Sequence, residues 1–299
     1  MKVYLGVPRG FCAGVVRAID LVELALQKFG PPIYVKHQIV HNPHVVTDLE
    51  SRGAVTVEDV TQIPEGARVV FSAHGSPPED FKTARERNLD VIDATCPLVV
   101  KVHNEARKYA SEGRKVILVG HKGHQEVKGT MGQVEMSLID DRDPYRSPDW
   151  NYQTPVTVLT QTTLSVDDTQ RSIDSIKNSF NDVLVRNDLC YATTNRQNAV
   201  KEIAPLVDLF LIIGAENSSN CNRLREVAIG KGVPSYLING LHELNQSWLK
   251  DVRNIGITSG ASTPDNLVQE IIDFIGPEEV ILMGGEEENI TFTLPKEFR

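Results

Sequence analysis

Val7-Pro8-Arg9-Gly10-Phe11-Cys12-Ala13-Gly14-Val15 sets a cysteine in a Gly/Pro loop between two patterned runs. The run before it, Val3 to Val7, reads as a buried strand. The one that starts near Val15 reads as a helix, with apolar residues at Val15, Val16, Ile19, Val22, Leu26 and Phe29. The same order recurs twice. Val91-Ile92-Asp93-Ala94-Thr95-Cys96-Pro97 leads into an amphipathic run from Leu98 to Tyr109. Val183-Leu184-Val185-Arg186-Asn187-Asp188-Leu189-Cys190 leads into one from Asn195 to Val207. The cysteines are 96 − 12 = 84 and 190 − 96 = 94 residues apart, close to one small α/β unit per cysteine.

Three strand-end cysteines that meet at one point make a three-thiolate metal site. Thiolates suit zinc, copper(I) or iron–sulfur clusters, and open strand–helix sheets present functional groups at the carboxyl ends of their strands. Taken singly, each cysteine is as well explained as a small buried hydrophobe. The repeated context sets the group apart, because Gly10 and Gly14 flank Cys12 and Pro97 follows Cys96.

The chain has 299 residues, 40% hydrophobic and 24% charged, the profile of an ordinary soluble globular protein of two or three domains. Its net charge of −9 argues against nucleic acid, which needs clustered positive charge. Four cysteines, at 12, 96, 190 and 221, are far apart. With no secretory leader pattern, they read as metal or catalytic groups in a reducing compartment. The longest apolar runs, such as Leu209 to Ile213, are far too short to span a bilayer. The expectation is a cytoplasmic protein without a membrane partner.

Strand and helix patterns alternate along the whole chain, which predicts parallel sheets with right-handed crossovers. The expected units are residues 1–96, 97–190 and 191–280, with a C-terminal arm at 281–299. In that arm Gly284-Gly285-Glu286-Glu287-Glu288 reads as acidic and flexible, and Ile290 to Leu294 alternates like an edge strand.

A second set of strand-end loops is rich in His, Ser, Thr and Asn. They are Val40-His41-Asn42, Ala73-His74-Gly75, His124-Gln125-Glu126, Gln161-Thr162-Thr163, Asn217-Ser218-Ser219-Asn220 and Ser259-Gly260-Ala261-Ser262. Such loops before helices bind anions through free backbone N–H groups. Together they suit a diphosphate cradle built without a P-loop, although each alone also suits a helix cap. No G-x-x-x-x-G-K-[ST] and no suitably placed G-x-G-x-x-G occurs, so ATP and dinucleotides lose support. His124-x-Glu126 matches the first half of the zinc deaminase signature, but no C-x-x-C follows. Glu126 reads either as a solvated loop glutamate or, in a desolvated pocket, as a general acid.

With these residues assembled, the chain resembles the 4-hydroxy-3-methylbut-2-enyl diphosphate reductases. The likeness runs from end to end through Pro8–Val15, Ser72–Gly75, Ala94–Pro97, Gly120–Glu126, Thr160–Ser165, Cys190–Gln197, Asn217–Asn220 and Gly260–Ser262. It implies three small α/β domains with mostly parallel sheets in a trefoil around a central [4Fe–4S] cluster. Cys12, Cys96 and Cys190 would each hold one iron, leaving the fourth for the substrate's hydroxyl oxygen. It implies reductive dehydroxylation of the allylic diphosphate substrate to isopentenyl and dimethylallyl diphosphate, the last step of the methylerythritol phosphate route. His41, His74, His124, Ser218, Ser219, Asn220 and Ser262 would hold the diphosphate. Glu126 would be the proton source, Thr162 would position the hydroxyl, and Thr163 and Thr193 would line the pocket. A flavodoxin or ferredoxin would deliver electrons. Cys221, directly after Asn220, is expected to turn away, since neighbouring helical residues point about 100° apart. The competing reading is a non-catalytic sensor of a phosphorylated ligand with a closed zinc site.

Overall fold

The structure, a computed structural model, describes residues 1–285 and 288–298. Its strands are β1 (Lys2–Val7), β2 (Ile33–Lys36), β3 (Ala54–Val57), β4 (Arg68–Phe71), β5 (Asp90–Asp93), β6 (Lys115–Val119), β7 (Met136–Ile139), β8 (Val156–Thr160), β9 (Val183–Val185), β10 (Leu209–Ile213), β11 (Ser235–Ile238), β12 (Asn254–Ser259) and β13 (Glu279–Gly284). Its helices are α1 (Ala13–Phe29), α2 (Pro43–Ser51), α3 (Pro78–Glu86), α4 (Pro97–Ser111), α5 (Gln125–Met131), α6 (Val166–Ser179), α7 (Tyr191–Ile203), α8 (Ser219–Gly230) and α9 (Asp265–Ile275). The strand pairings among the described residues are all parallel, as the expected α/β class requires.

The strands form three sheets, ordered β3-β2-β4-β5, β7-β6-β8-β9 and β11-β10-β12-β1-β13. The first two follow one rule: second, first, third, fourth. The last sheet obeys the same rule if β1 is its fourth strand. The repeats are therefore β2 to β5, β6 to β9, and β10 to β12 completed by β1, with β13 added beyond it. In each repeat a cysteine follows the fourth strand: Cys96 after β5, Cys190 after β9, Cys12 after β1.

This differs from the boundaries expected from the sequence. Lys2 to Val7 was expected with the strands up to residue 96, yet Lys2 lies opposite Asn254 and Glu279. The cause is burial, because Val3 and Leu5 share one core with Leu211, Ile255 and Ile257. The expected arm from 281 also begins inside β13. Ile290 to Leu294 makes no strand, since side chains of α1 hold this segment instead of a ladder. Arg17 Nε donates to the Thr293 carbonyl at 3.2 Å, and Phe298 packs edge-on against Phe29. Within the run expected to be flexible, Glu288 is held by the buried Arg196 at 2.8 Å, and Glu286 and Glu287 lie outside the described residues.

Compactness divides the chain into two units. One comprises Met1–Val15, His41–Val45 and Cys190–Thr291; the other comprises Val16–Val40, Val46–Leu189 and Phe292–Arg299. The first contains the five-stranded sheet, covered on both faces. Along β10, Leu209, Leu211 and Ile213 join the α9 residues Leu267, Val268, Ile271 and Ile272, while Phe210 and Ile212 join Val200, Ile203 and Leu224. That is the period of two expected of a strand, and burial on both faces explains its unbroken apolar run. In the other unit, β6 and β8 pack Ile117, Val119 and Val158 against Ile173 and Ile176 of α6. Among the described residues no helix is long and apolar enough to cross a membrane.

Candidate functional site

The site residues named from sequence fall on equivalent positions of the repeats. First strands lead to His41 after β2, His124 and Glu126 after β6, and Ser218, Ser219 and Asn220 after β10. Third strands lead to His74 after β4, Thr162 and Thr163 after β8, and Ser262 after β12. Fourth strands lead to the cysteines, with Thr193 in the first turn of α7. The second strands, β3, β7 and β11, lead to none of them.

In the larger unit Glu126 is 3% exposed. The Thr162 N–H donates to its Oε1 at 2.7 Å, and the Thr162 hydroxyl donates to its Oε2 at 2.9 Å. Burial raises the carboxyl's pKa to about 7, against the lowering effect of the Thr162 bonds, with the charge of Asp188 adding to the rise. Near neutral pH the Glu126 carboxyl is therefore poised between its protonated and ionised forms. His124 caps α5, and its Nδ1 accepts the Glu126 N–H at 3.2 Å. A neutral imidazole accepting at Nδ1 carries its proton on Nε2, where it can donate to an anion. The His74 ring meets the His124 ring edge-to-face, with centroids 6.1 Å apart. Ser72 Oγ lies 3.4 Å from His74 Nδ1. Thr163 Oγ1 accepts from the Gln161 amide at 2.9 Å. Cys96 caps α4, and its N–H donates to the Ala73 carbonyl at 2.9 Å, which ties the cysteine to the His74 loop. The structure therefore brings His74, His124, Glu126 and Thr162 together.

In the smaller unit Asn220, 5% exposed in the first turn of α8, has no hydrogen-bond partner among the described residues for either atom of its amide. Ser218 caps α8 and accepts the Cys221 N–H at 3.4 Å, so its hydroxyl serves the helix as well. The Ser262 hydroxyl donates to the His41 carbonyl at 3.1 Å, joining those two loops. Asn42 caps α2 by accepting the His44 N–H at 3.0 Å. Thr193 lies against the sulfur of Cys190: its N–H donates to that sulfur at 3.3 Å, and its hydroxyl lies 3.1 Å away.

Two residues without an assigned sequence role organise the cysteine loops of this unit. The Tyr191 hydroxyl accepts the Ala13 N–H at 3.3 Å, linking the residue after Cys190 to the residue after Cys12. Burial and the neighbouring Cys12 push that phenol up to about 12. Arg196 is fully buried and donates to the Gly10 carbonyl at 2.9 Å, the Ala192 carbonyl at 3.0 Å and the Glu288 carboxylate at 2.8 Å. No local sequence pattern marks Arg196, and a buried charge of this kind is held by its partners.

Cys12, Cys96 and Cys190 are partly exposed thiols, and each sits at a helix N-terminus. Burial pushes the Cys12 thiol up, while the Val15 N–H, the Arg196 charge and the Gly14 N–H pull it down. Soft sulfur donors receiving N–H bonds fit the ligation of an iron–sulfur cluster. His121, Asp140 and Asp141 also lie close enough to share a cation, but their nitrogen and oxygen atoms do not suit a cluster. Cys221 is excluded from such ligation by its place. It is fully buried in the core with Val200, Phe210 and Leu224, and its sulfur fills a notch over Gly214 and Gly260. A Cβ on either glycine would fall 2.3 or 2.2 Å from that sulfur.

A family model described as LytB protein matches residues 3–276. The chain belongs to the LytB family. It is 52% identical to 4-hydroxy-3-methylbut-2-enyl diphosphate reductase 2 of Bradyrhizobium diazoefficiens, over 99% of each chain. It is 49% identical to 4-hydroxy-3-methylbut-2-enyl diphosphate reductase of Burkholderia pseudomallei, over 99% of this chain and 96% of that one. Among solved LytB-like structures, the E-1-hydroxy-2-methyl-but-2-enyl-4-diphosphate reductase from Plasmodium falciparum superposes with a TM-score of 0.95 at 38% identity, covering 99% of this chain and 96% of that one.

Proposed function

We propose that this LytB-family chain is a 4-hydroxy-3-methylbut-2-enyl diphosphate reductase that removes the allylic hydroxyl with two electrons and two protons. The C–O bond breaks, the hydroxyl leaves as water, and a proton added to the allylic carbon frame gives isopentenyl or dimethylallyl diphosphate. The observation that carries this reading is Glu126, a buried carboxyl held at both oxygens by Thr162 with its pKa near 7. A group of that kind retains a proton at neutral pH and releases it into a dry site.

The diphosphate is bound by His41, His74, His124, Ser218, Ser219, Asn220 and Ser262. His124 offers its Nε2 proton because Nδ1 is occupied by the Glu126 N–H. Asn220 offers two amide hydrogens that its surroundings leave unused. Thr162 orients the substrate hydroxyl and passes protons from Glu126, while Thr163 and Thr193 line the pocket. Each repeat supplies one cysteine, and Cys12, Cys96 and Cys190 would hold a [4Fe–4S] cluster. When bound, the cluster supplies the electrons and the Lewis acidity for C–O cleavage. The electrons come from a cytoplasmic carrier such as a flavodoxin or ferredoxin.

The test is a Mössbauer spectrum of anaerobic, iron-57-enriched protein with and without the allylic diphosphate. One iron site of four changing alone on addition of substrate supports the three-cysteine assignment. A colourless protein, or four equivalent irons indifferent to the diphosphate, removes it.

A further inference from the structure

A cavity of about 300 Å³ lies apart from the groups above, between α3, α4 and the turn after α5, within the larger unit. Ser76 and His103 line it at 2% and 7% exposure. Among the described residues neither the Ser76 hydroxyl nor His103 Nε2 has a hydrogen-bond partner. Arg85 and Arg107 stand exposed at its rim. Among the described residues, Arg107 bonds only to the amide oxygens of Gln133 and Asn104, and neither arginine pairs with a carboxylate. The one acid on the wall, Asp93, has its Oδ1 occupied by the Thr95 N–H at 2.9 Å and the Thr95 hydroxyl at 2.5 Å.

These features select a ligand. A cation would meet two guanidiniums. An apolar ligand would leave the buried hydroxyl and ring nitrogen unsatisfied, which native interiors avoid. Arginine is the side chain best matched to phosphate geometry. We propose that this cavity binds a small tetrahedral oxyanion of the phosphate class, with Arg85 and Arg107 on its charge and Ser76 and His103 donating to its oxygens. Burial and Arg107 lower the His103 pKa to about 4, so its ring is neutral near pH 7 and still carries one N–H to donate.

The position gives the site a use. Gly75 has φ +81°, and a Cβ there would fall 2.8 Å from His103 Cε1, so the imidazole rests on the Gly75 backbone. Ser76 is the next residue, His74 the one before, and Thr95 on the cavity wall precedes Cys96. An anion that draws His103 and Ser76 inward shifts the backbone that carries His74. The site is thus a regulatory one for phosphorylated metabolites, and its existence does not rest on the reductase reading.

The experiment is calorimetric titration of holoenzyme with inorganic phosphate, in a phosphate-free buffer without reductant, after one equivalent of the allylic diphosphate. We expect one phosphate per chain with a dissociation constant of about 1 mM, in the weak range of affinities. The Arg85→Gln/Arg107→Gln double variant should bind it at least about tenfold more weakly, as loss of two charge-assisted contacts implies. Phosphate should alter the substrate KM in the parent chain and leave it unaltered in the double variant. Sulfate binding in the same manner supports the oxyanion class. No binding up to about 20 mM, or equal binding by parent and double variant, overturns the proposal.

Discussion

Glu126 and Asn220 occupy equivalent places in two repeats. Each is the second residue of the helix after a first strand, in α5 and α8, and each is almost wholly buried, at 3% and 5% exposure. Their surroundings are opposite. The Glu126 carboxyl has both oxygens engaged by Thr162, whereas the Asn220 amide has neither end engaged. Burying a polar group without partners is costly. One repeat thus holds a fully engaged carboxyl, and the other a buried amide without a partner among the described residues. Equivalent topology supplies two chemistries through the loops alone.

Variants can break this comparison at either end. The largest effect is expected at the cysteines: Cys12→Ser, Cys96→Ser or Cys190→Ser should abolish turnover and lower iron content, read by absorbance and iron assay. Intact iron in any one of them would remove that residue as a ligand. Next is Glu126→Gln, which should lower kcat by about 10² to 10⁴ while substrate binding persists. Near-normal turnover would assign the proton to another group. The same proton predicts a pH profile. Burial holds the Glu126 pKa near 7, above the usual carboxylate value, so the protonated form dominates below pH 7 and is lost above it. Then kcat/KM should fall about tenfold per pH unit on the alkaline side. The sign for stability is the same. The folded chain holds this proton more tightly than the unfolded one, so Glu126 penalises folding increasingly as pH rises from about 4.5 towards 7.

Asn220→Ala sharpens the contrast. It should raise KM about tenfold, the worth of one or two hydrogen bonds to a charged group, and leave the unliganded chain no less stable. Thr162→Val, which strips partners from Glu126, should destabilise the unliganded chain, as read by thermal melting. If both variants melt alike, the two repeats are not differently satisfied. The smallest effect is expected from Cys221→Ser. Iron content and turnover should be retained, with a stability loss of at most about 1 kcal/mol, because Ser218 and Thr263 beside the sulfur can hydrogen-bond the new hydroxyl.

How much of this was legible depended on burial. The run Leu209 to Ile213 is buried along its whole length and announced itself as a strand. The outer strands β7 and β11 are mostly half-buried and carry no such signal. Ser165 caps α6 by accepting the Asp168 N–H at 3.2 Å, a contact between residues only three apart. The cysteines and polar loops were readable as strand-end groups, because strand–loop–helix order is local. Their equivalence across repeats was not, because it depends on β1 pairing with β12 and β13. Arg196 was equally hidden, since its partners Gly10 and Glu288 are 186 and 92 residues away.

The placement of β1 sets a timetable for synthesis. Lys2 emerges from the ribosome long before its neighbour Asn254, which is made 252 positions later. Until then a strand with bare edges waits, exposed to mispairing and dependent on chaperones. The sheets β2 to β5 and β6 to β9 can close as they emerge. The loop bearing Cys12 cannot set until β12 is complete. On the three-thiolate reading, iron loading is therefore a late event that follows translation, and a cell short of iron would accumulate finished chains rather than nascent ones.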